Sequence, residues 1–423
     1  MKNIFKKNII LIVSGYSSGR FLAPMFRGKG YHCIHITSTS EFNNPVLNKH
    51  YIRTDYLDNI VIDSENDYDN LLKKLEKYNV MLVIAGSEPG VLLADKLSEF
   101  FNTPRNTYSL SAARRDKYLM HEALKKNGVL CAKQIHTQHV NAALNFRDLI
   151  KADRIVVKPL SSSSSDNVFY CHSENEIRNS FEIILNKKNI LDELNDNVLV
   201  QEYLNGKQYI VNTVSSEGNH FITDVWEEVS ANDNIPSNDI HANMVKRNTE
   251  IYSVLANYTY EVLNSLGIRY GAAHSEIRIT KNGPCLVEIG ARLPGNVDFS
   301  IMDYIVGFSQ VSLLHYALLH PALFKKISQH NPSHKKFVRL VYLFSNVGGP
   351  VIKIPDITFF MQYESVYSIG LNFTKNDYLY KTNRALRNPR PGYIYLVNDD
   401  IENLEDDYNK IRQSENDFYL SLV

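Results

Sequence analysis

The sequence predicts a multidomain protein that combines the α/β and α+β classes. Short apolar strands alternate with helices up to about residue 110, hairpin signals dominate from 111 to 330, and a smaller mixed segment runs from 331 to 423. A chain of 423 residues is also too long for one ordinary hydrophobic core. We therefore expect three domains, 1–110, 111–330 and 331–423.

The first domain is predicted to be of the Rossmann type. Three apolar runs are typical of buried strands, and three amphipathic segments between and after them are typical of helices. The strand candidates are "NIILIVSG", "YHCIHITS" and "VMLVIAG", and the helix candidates are "SGRFLAPMFRGKG", "YDNLLKKLEKYN" and "SEPGVLLADKLSEFF". Apolar strands that alternate with helices indicate a parallel sheet covered on both faces.

The loop "SGYSSG", residues 14–19, follows the first strand and has three interpretations. It lacks the GxGxxG pattern, and no clear acidic residue follows the second strand, so a dinucleotide site is the weakest of them. A substrate or phosphate contact at a helix start is the second. A tight turn with no ligand is the third.

The second and third domains are predicted from hairpin and helix signals. Ser111 is expected to cap a helix over "SAARRDKYLMHEALKKNGV", and Gly267 is expected to end a long helix. Glycine-containing turns at 217–219 and 281–283 predict two hairpins. The last domain has strands at "KFVRLVYLFSN" and "PGYIYLVND" and a polar helix at "NLEDDYNKIRQSE".

Composition excludes several function classes. Lys+Arg and Asp+Glu both number 46, so net charge supports neither a nucleic-acid partner nor a membrane surface. The four widely spaced cysteines form no CxxC pair, which favours reduced thiols over a zinc site or disulfides. The N-terminal apolar run is short and ends in a Gly/Ser turn, which favours a first strand over a signal peptide. No apolar run approaches the ~18 residues of a membrane span. We expect a soluble, cytoplasmic protein.

Two carboxylates, Glu276 and Glu288, fall on two strands predicted to be neighbours. Side chains on one face of adjoining antiparallel strands lie close together, and two carboxylates so placed repel each other unless a cation lies between them. Mg²⁺ commonly binds through one or two carboxylates plus substrate phosphates. The alternative is a pair of surface acids on an exposed hairpin, although "CLVEIGARL" is unusually apolar for such a strand.

Two further segments suggest a phosphate and a base. Lys158 ends the apolar run "RIVVKP" just before the serine-rich loop 161–165, where it could reach phosphate oxygens under the N–H and hydroxyl groups of the loop. The alternative is a lysine whose stem covers a strand edge. The segment "VLVQEYLNG" resembles a hinge whose backbone could pair with an adenine edge, although many strands simply end in this way.

The order of these features resembles the ATP-grasp superfamily, and more closely its carboxylate–amine ligases of the L-amino-acid ligase type. The resemblance covers nearly the whole chain. The motifs that carry it are "VSGYSSG", "GSEPGVLLADKL", "SAARRDKYLM", "VVKPLSSSSSDNV", "HSEIRIT" and "CLVEIGARLPGN", followed by "YLFSNVGGPV" and "RPGYIYLVND". The resemblance implies an ATP-grasp fold for 111–330 and an appended C-terminal subdomain for 331–423.

The resemblance also implies site residues. Those expected to bind ATP are Lys117, Lys158, Ser163, Ser164, Ser165, Gln201, Glu202, Tyr203, Leu204 and Gln208. Glu276 and Glu288 match ligands of Mg²⁺, for which Mn²⁺ could substitute. Three departures stand out: the flexible loop lacks the usual glycine, Gln208 replaces a glutamate common at the ribose, and Gly290 replaces an asparagine that often supplies a third metal ligand.

The implied reaction activates a substrate carboxylate as an acylphosphate, which an amine then attacks to give a dipeptide or amide with ADP and phosphate. Lys158 and Arg292 are the expected catalytic residues, Arg292 at the developing oxyanion, although it could instead form a salt bridge with Glu288.

Substrate contacts are expected from Glu88, His241, Asn296 and Arg292. Glu88 could instead complement a helix N-terminus, and His241 could be an exposed loop histidine. His274 is expected to orient the Glu276 strand.

The acceptor and the partners stay open. The alternatives to an amine acceptor are the thiol of a carrier protein and a non-catalytic ATP-binding protein on the same fold. Small-molecule substrates are the expected partners, a homodimer is allowed, and neither nucleic acid nor membrane is expected.

Overall fold

The computed structural model describes residues 7–48, 51–63, 67–163, 165–232, 235, 238–295, 297–329, 335–382 and 390–423. Its strands are β1 Asn8–Val13, β2 His32–Ser38, β3 Asp58–Ile62, β4 Asn79–Ala85, β5 Gln134–Thr137, β6 Ile155–Pro159, β7 Phe169–Cys171, β8 Val198–Glu202, β9 Lys207–Ser216, β10 Asn219–Ser230, β11 Asp239–Met244, β12 Gly271–Thr280, β13 Gly283–Gly290, β14 Phe337–Tyr342, β15 Gly349–Pro350, β16 Val366–Leu371, β17 Tyr378–Leu379 and β18 Gly392–Asn398.

The α-helices are α1 Leu22–Arg27, α2 Thr39–Phe42, α3 Pro45–Asn48, α4 Tyr68–Leu75, α5 Val91–Phe100, α6 Lys117–Lys126, α7 Val140–Leu149, α8 Glu174–Ile184, α9 Glu250–Ser265, α10 Phe299–Val306, α11 Gln310–Leu319, α12 Pro321–Ser328, α13 Thr358–Met361 and α14 Ile401–Leu420. Short 3₁₀ turns cover Ser17–Phe21, Arg53–Asp55, Glu88–Gly90, Tyr108–Leu110 and Ala112–Arg114.

The chain divides into two compact units. Unit 1 comprises Met1–Asn205, Val211–Thr223 and Ser253–Asn331, and unit 2 comprises Gly206–Ile210, Asp224–Tyr252 and Pro332–Val423. Strands β9 and β10 contribute residues to both. Compactness alone therefore groups 1–110 with most of 111–330, and the division into three domains stays a prediction.

Unit 1 begins with the parallel sheet that the sequence predicts. Its strand order is β3-β2-β1-β4, and all three neighbouring pairs are parallel. The central strand β1 is buried from Ile9 to Val13, because an unbroken apolar run suits a sheet covered on both faces. The described strands include β3, which the sequence analysis missed because its five residues "DNIVI" begin with two polar residues.

The loop 14–19 forms a tight turn at the carboxyl end of β1. The Gly15 N–H donates a 2.9 Å hydrogen bond to His35 Nε2, so this backbone donor is occupied within the protein. Ser14 and Ser17 both have positive φ, at 55° and 52°. A Cβ on Gly19 would lie 2.5 Å from the carbonyl oxygen of Gly86, which explains the glycine there. The segment is thus a tight turn whose close approach to Gly86 requires a glycine at position 19.

The rest of unit 1 holds two groups of antiparallel strands. One sheet has the order β5-β8-β6-β7, and α7 and α8 bury their apolar residues against it. The other group has the order β13-β12-β9-β10, with the hairpin β12–β13 turned at Gly283 as predicted.

The start of α6 differs from the expected one. Asp116, not Ser111, caps it, accepting a 2.9 Å hydrogen bond from the Leu119 N–H. Ser111 Oγ instead donates to Asp95 Oδ2 at 2.6 Å, beside the buried ion pair of Asp95 with Arg114. The prediction of the Ser111 cap was wrong because a buried carboxylate competes for its hydroxyl.

Unit 2 is built on strands in the order β10-β11-β14-β18-β16, all antiparallel to their neighbours. The long helix α14 buries Leu404, Ile411 and Phe418 in the same apolar cluster as Ile394 and Leu396 of β18. The predicted strands at both ends of this region and the polar helix are confirmed. Among the described helices, none is long and apolar enough to cross a membrane.

Candidate active site

Glu276 and Glu288 lie directly opposite each other on β12 and β13. They are cross-strand partners in the antiparallel register, which places both side chains on one face of the hairpin. Their side chains are 27% and 28% exposed, whereas Ser275 and Ile277, which alternate with Glu276, are fully buried on the other face. The described residues contain no cluster of three or more His, Cys, Asp or Glu around a common point. Two carboxylates fit Mg²⁺, which can complete its coordination with phosphate oxygens and water.

Two lysines surround this carboxylate pair. Lys117 is the first residue of α6, and its Nζ lies 3.1 Å from Glu288 Oε2 and 2.9 Å from the Ser162 carbonyl oxygen to which it donates. Lys158 lies near the end of β6 and is buried. One face of unit 1 thus brings together the two candidate metal ligands and the two candidate phosphate-binding cations.

The charges of this cluster shift one another's pKa values. Burial and, after it, the positive charge of Lys117 lower the pKa of Lys158 to about 8, against the opposing effect of Glu288 and Glu276. Burial would raise the pKa of Glu288, but Lys117 and Lys158 outweigh it and lower the pKa to about 2. Glu288 is therefore a carboxylate at every physiological pH, as a metal ligand must be.

The serine-rich loop joins β6 to β7. Ser162 Oγ donates to Asp166 Oδ2 at 2.9 Å, and the Asp166 N–H donates to the Ser163 carbonyl at 3.1 Å. Ser165 and Asn167 have φ of 54° and 52°, the left-handed region that glycine adopts more readily. Two non-glycine residues of this loop thus adopt a left-handed conformation at some energetic cost. Ser164 lies outside the described residues.

The hinge 201–204 begins at the end of β8. Gln201 is buried and donates from its side chain to Gln134 Oε1 at 3.0 Å. The Glu202 N–H donates to the Lys133 carbonyl at 2.9 Å, and Glu202 Oε1 accepts from the Lys133 N–H at 2.8 Å. These bonds fix the first half of the hinge to Lys133 and to Gln134, the first residue of β5.

Arg278 holds the second half of the hinge, and sequence reasoning missed it. Its Nη1 donates to Tyr203 Oη at 2.6 Å and to the Leu204 carbonyl at 3.0 Å. Arg154 stacks on the Tyr203 ring, with its Cζ 3.4 Å from the centroid. A signal for Arg278 was present, since it follows Glu276 by two residues and so lies on the same face of β12.

Gln208 and His241 belong to unit 2. The side chain of Gln208 donates to Glu228 Oε2 at 2.7 Å. His241 lies in β11 and is buried, so the expected loop position was wrong. Its Nδ1 is 3.1 Å from Tyr408 Oη, and burial followed by nearby arginines lowers its pKa to about 4.

Arg292 forms an ion pair with Glu88. Arg292 Nε donates to Glu88 Oε2 at 2.8 Å. The salt bridge of Arg292 is therefore with Glu88 and not with Glu288, which was the alternative considered from the sequence. Glu88 Oε1 accepts from Arg115 Nη1 at 2.9 Å. Arg115 lies in the motif "SAARRDKYLM", but the sequence did not identify it as a site residue. Asn296 lies outside the described residues.

His274 has the orienting position that the sequence analysis expects. Its Nδ1 is 2.9 Å from Asn212 Oδ1, and its Nε2 is 3.8 Å from Glu276 Oε1. The ring thus contacts Asn212 of β9 on one side and lies near the Glu276 carboxylate on the other.

The chain is similar to known proteins along its whole length. Residues 152–298 match the family model described as the ATP-grasp domain. Over 433 aligned residues the chain is 34% identical to dapdiamide A synthase from Enterobacter agglomerans, covering all of both proteins. The fold is similar to L-amino acid ligase from Bacillus licheniformis, with a TM-score of 0.74 at 17% identity over 96% of this chain and 97% of that one. Phosphoribosylglycinamide synthetase from Anaerococcus prevotii gives 0.67 at 14% identity over 96% and 98%.

Proposed function

The chain belongs to the ATP-grasp carboxylate–amine ligases, and on that premise we propose how its residues divide the work. As an ATP-dependent amino acid ligase it joins an amino acid carboxylate to an amine. We propose that the carboxylate first attacks the γ-phosphorus of ATP, giving an acylphosphate and ADP. The amine then attacks the acyl carbon, and phosphate leaves.

The observation that carries the site assignment is the cross-strand pair of Glu276 and Glu288 beside Lys117 and Lys158. Glu276 and Glu288 would hold Mg²⁺, or Mn²⁺ in its place, which when bound supplies positive charge to the transferring phosphoryl group. Lys117 and Lys158 would bind phosphate oxygens, to which a compact ammonium is well suited.

The remaining ATP contacts come from three segments. Serines of the 161–165 loop would cover the phosphates with N–H and hydroxyl donors. The backbone of 201–204 would pair with the adenine edge, with Tyr203 and Leu204 held in place by Arg278. Gln208 would contact the ribose.

Arg292 would stabilise the negative charge that develops on the acyl oxygen, because a guanidinium can donate two parallel hydrogen bonds to it. Substrate selection would fall to Arg292, Asn296 and His241, whereas Glu88, also expected at the substrate, has both carboxylate oxygens bonded to arginines. Burial and low pKa make His241 a neutral ring at physiological pH, which suits hydrogen bonding better than ionic capture of a carboxylate.

Product analysis tests the reaction. Purified protein is incubated with ATP, Mg²⁺ and pooled amino acids, and ADP, phosphate and coupled products are measured by mass spectrometry. We expect ADP and phosphate in equal amounts with a dipeptide or amide. AMP and pyrophosphate would overturn the acylphosphate step, and ADP with a thioester only when a carrier protein is added would replace the amine by a thiol.

Substitution of one carboxylate tests the metal assignment. Glu288→Gln keeps the shape of the side chain but removes its charge, so the concentration of Mg²⁺ for half-maximal rate should rise at least about 10- to 100-fold, the range seen when even outer-shell partners are lost. Glu182→Gln, on an exposed glutamate of α8, is the matched control. Unchanged Mg²⁺ dependence in Glu288→Gln would remove Glu288 from the metal site.

A further inference from the structure

Glu88 occupies an unusual place between two arginines. Its two carboxylate oxygens accept separately, Oε1 from Arg115 Nη1 at 2.9 Å and Oε2 from Arg292 Nε at 2.8 Å. The side chain of Glu88 is 13% exposed and that of Arg115 only 4%. Charge-assisted hydrogen bonds this well shielded from water fix the orientation of both guanidinium groups.

Gly290 leaves the space in which this ion pair lies. A Cβ built on Gly290 would be 2.8 Å from Arg292 Cζ and 2.9 Å from Glu88 Oε2. Both distances are shorter than real Cβ contacts, so any other residue at 290 would displace the ends of these two side chains. Glycine at position 290, the last residue of β13, thus leaves room for the contact between Glu88 and Arg292.

Arg115 extends the contact toward the serine loop. Its Nη2 donates to Glu193 Oε1 at 3.0 Å. The backbone of Glu193 is fixed by Asn189, whose side chain also donates to the Ser161 carbonyl. The Ile190 N–H donates to Asp166 Oδ2 at 3.1 Å, which gives the segment 189–193 a second bond to the loop.

We propose that Glu88 and Arg115 are positioning residues that hold Arg292 for acyl transfer and join it, through the segment 189–193, to the serine loop. The proposal rests on the proposed function for the role of Arg292. Glu88 would then orient Arg292 and would not bind the ammonium group of the substrate, since both of its carboxylate oxygens already accept from guanidinium groups. ATP-loop order and the orientation of Arg292 then depend on the same residue, Arg115.

A double-mutant cycle separates positioning from substrate binding. We expect Glu88→Gln to lower kcat by about 10- to 100-fold, the cost of a misplaced catalytic group, with no change in KM for ATP. In an Arg292→Lys background, which retains the positive charge, the same change should cost less than about threefold, because the guanidinium that Glu88 orients is gone. Losses that multiply in the double variant, or a loss confined to KM for the amino acid, would assign Glu88 to the substrate and overturn the proposal.

Gly290→Ala is a second test that leaves the chemistry of Glu88 and Arg292 intact. The added methyl group displaces the flexible ends of both side chains, so kcat should fall as in Glu88→Gln while the melting temperature changes little. A Gly290→Ala variant with full kcat would show that the contact is not needed.

Hydrogen exchange tests the link to the serine loop without turnover. In Arg115→Lys, amides of 186–195 should exchange about tenfold faster than in the wild type, because the bridge to Glu193 is lost. The exposed pair of Arg27 with Asp55 supplies the control Arg27→Lys, and amides of β1 report whether the unit stays folded. If Arg115→Lys unfolds, Glu193→Gln removes the same bridge from its exposed end.

Unchanged exchange in 186–195 would overturn the link. Because this measurement uses the free protein, a ligase assay that gives no product would count against the proposed function and not against the network.

Discussion

Acid should destabilise the protein through His35, the histidine beneath the 14–19 turn. Its Nε2 accepts from the Gly15 N–H, so the neutral ring carries its proton on Nδ1, 2.7 Å from Tyr51 Oη. The groups that face the ring are Tyr16, Tyr51 and Tyr56, with ring centroids 5.1, 4.7 and 5.0 Å away. A second ring proton would remove the acceptor that Gly15 requires and place a charge among aromatic rings.

Burial lowers the pKa of His35 from 6.5 to about 3, against the opposing hydrogen-bond effect of Asn59. The unfolded chain takes up a proton below pH 6.5 and the folded protein does not, so this contribution to stability is complete above pH 6.5 and declines as the pH falls toward 3. The loss is about 1.4 kcal/mol at pH 5.5 and would reach about 4.4 kcal/mol at pH 3.

The measurement is urea unfolding at pH 7.5 and 5.5, followed by far-ultraviolet circular dichroism. Fluorescence of Trp226 is unsuitable, because this single tryptophan lies in unit 2. Between the two pH values, the wild type should lose about 1.4 kcal/mol more of its unfolding free energy than His35→Gln, whose side chain can accept from Gly15 but does not titrate. His139→Gln, at an exposed histidine, is the control and should lose as much as the wild type. The reasoning fails if His35→Gln keeps the full acid sensitivity.

Two further predictions concern the nucleotide contacts. Gln208→Glu restores the residue that the family resemblance implies at the ribose, yet it places a second carboxylate against Glu228 Oε2, 2.7 Å from the present amide. Relative to the wild type, the melting temperature of this variant should be lowered more at pH 8 than at pH 5, and its affinity for ATP should not increase. A lower KM for ATP would contradict this expectation. Tyr203→Phe removes the hydroxyl that accepts from Arg278 at 2.6 Å, a bond to a charged group worth about 1.5–3 kcal/mol. The KM for ATP should rise several-fold with kcat unchanged, and an unaltered KM would exclude this arginine from holding the hinge.

Local sequence patterns predicted most of the elements around the site. The apolar runs of β1, β2 and β4 and the glycine at 283 are sufficient to predict the parallel sheet and the β12–β13 hairpin. The hairpin places Glu276 and Glu288 on neighbouring strands, but their direct pairing depends on a β-bulge. The regular register of the turn would pair Glu276 with Val287, and the register shifts between Glu276 and Ile277 so that Glu276 faces Glu288.

Contacts between segments that are distant in the sequence could not be predicted from local patterns. Arg115 and Glu193 are 78 positions apart, and nothing in either segment indicates that they meet. His241 lies in a strand because partners on both sides complete its backbone pairing, which a polar local sequence does not reveal. The cap of α6 went to Asp116 for a related reason, since Asp95 from another helix takes the Ser111 hydroxyl.

The left-handed residues of the serine loop bear on the entropy of nucleotide binding. A loop with glycine at these positions samples many conformations in the free protein and loses that freedom when it closes on phosphates. Ser165 and Asn167 have fewer conformations to lose, because folding has already placed them at positive φ at a cost of roughly 1–2 kcal/mol each. Under the proposed role of this loop, the ordering cost would fall on folding more than on nucleotide binding.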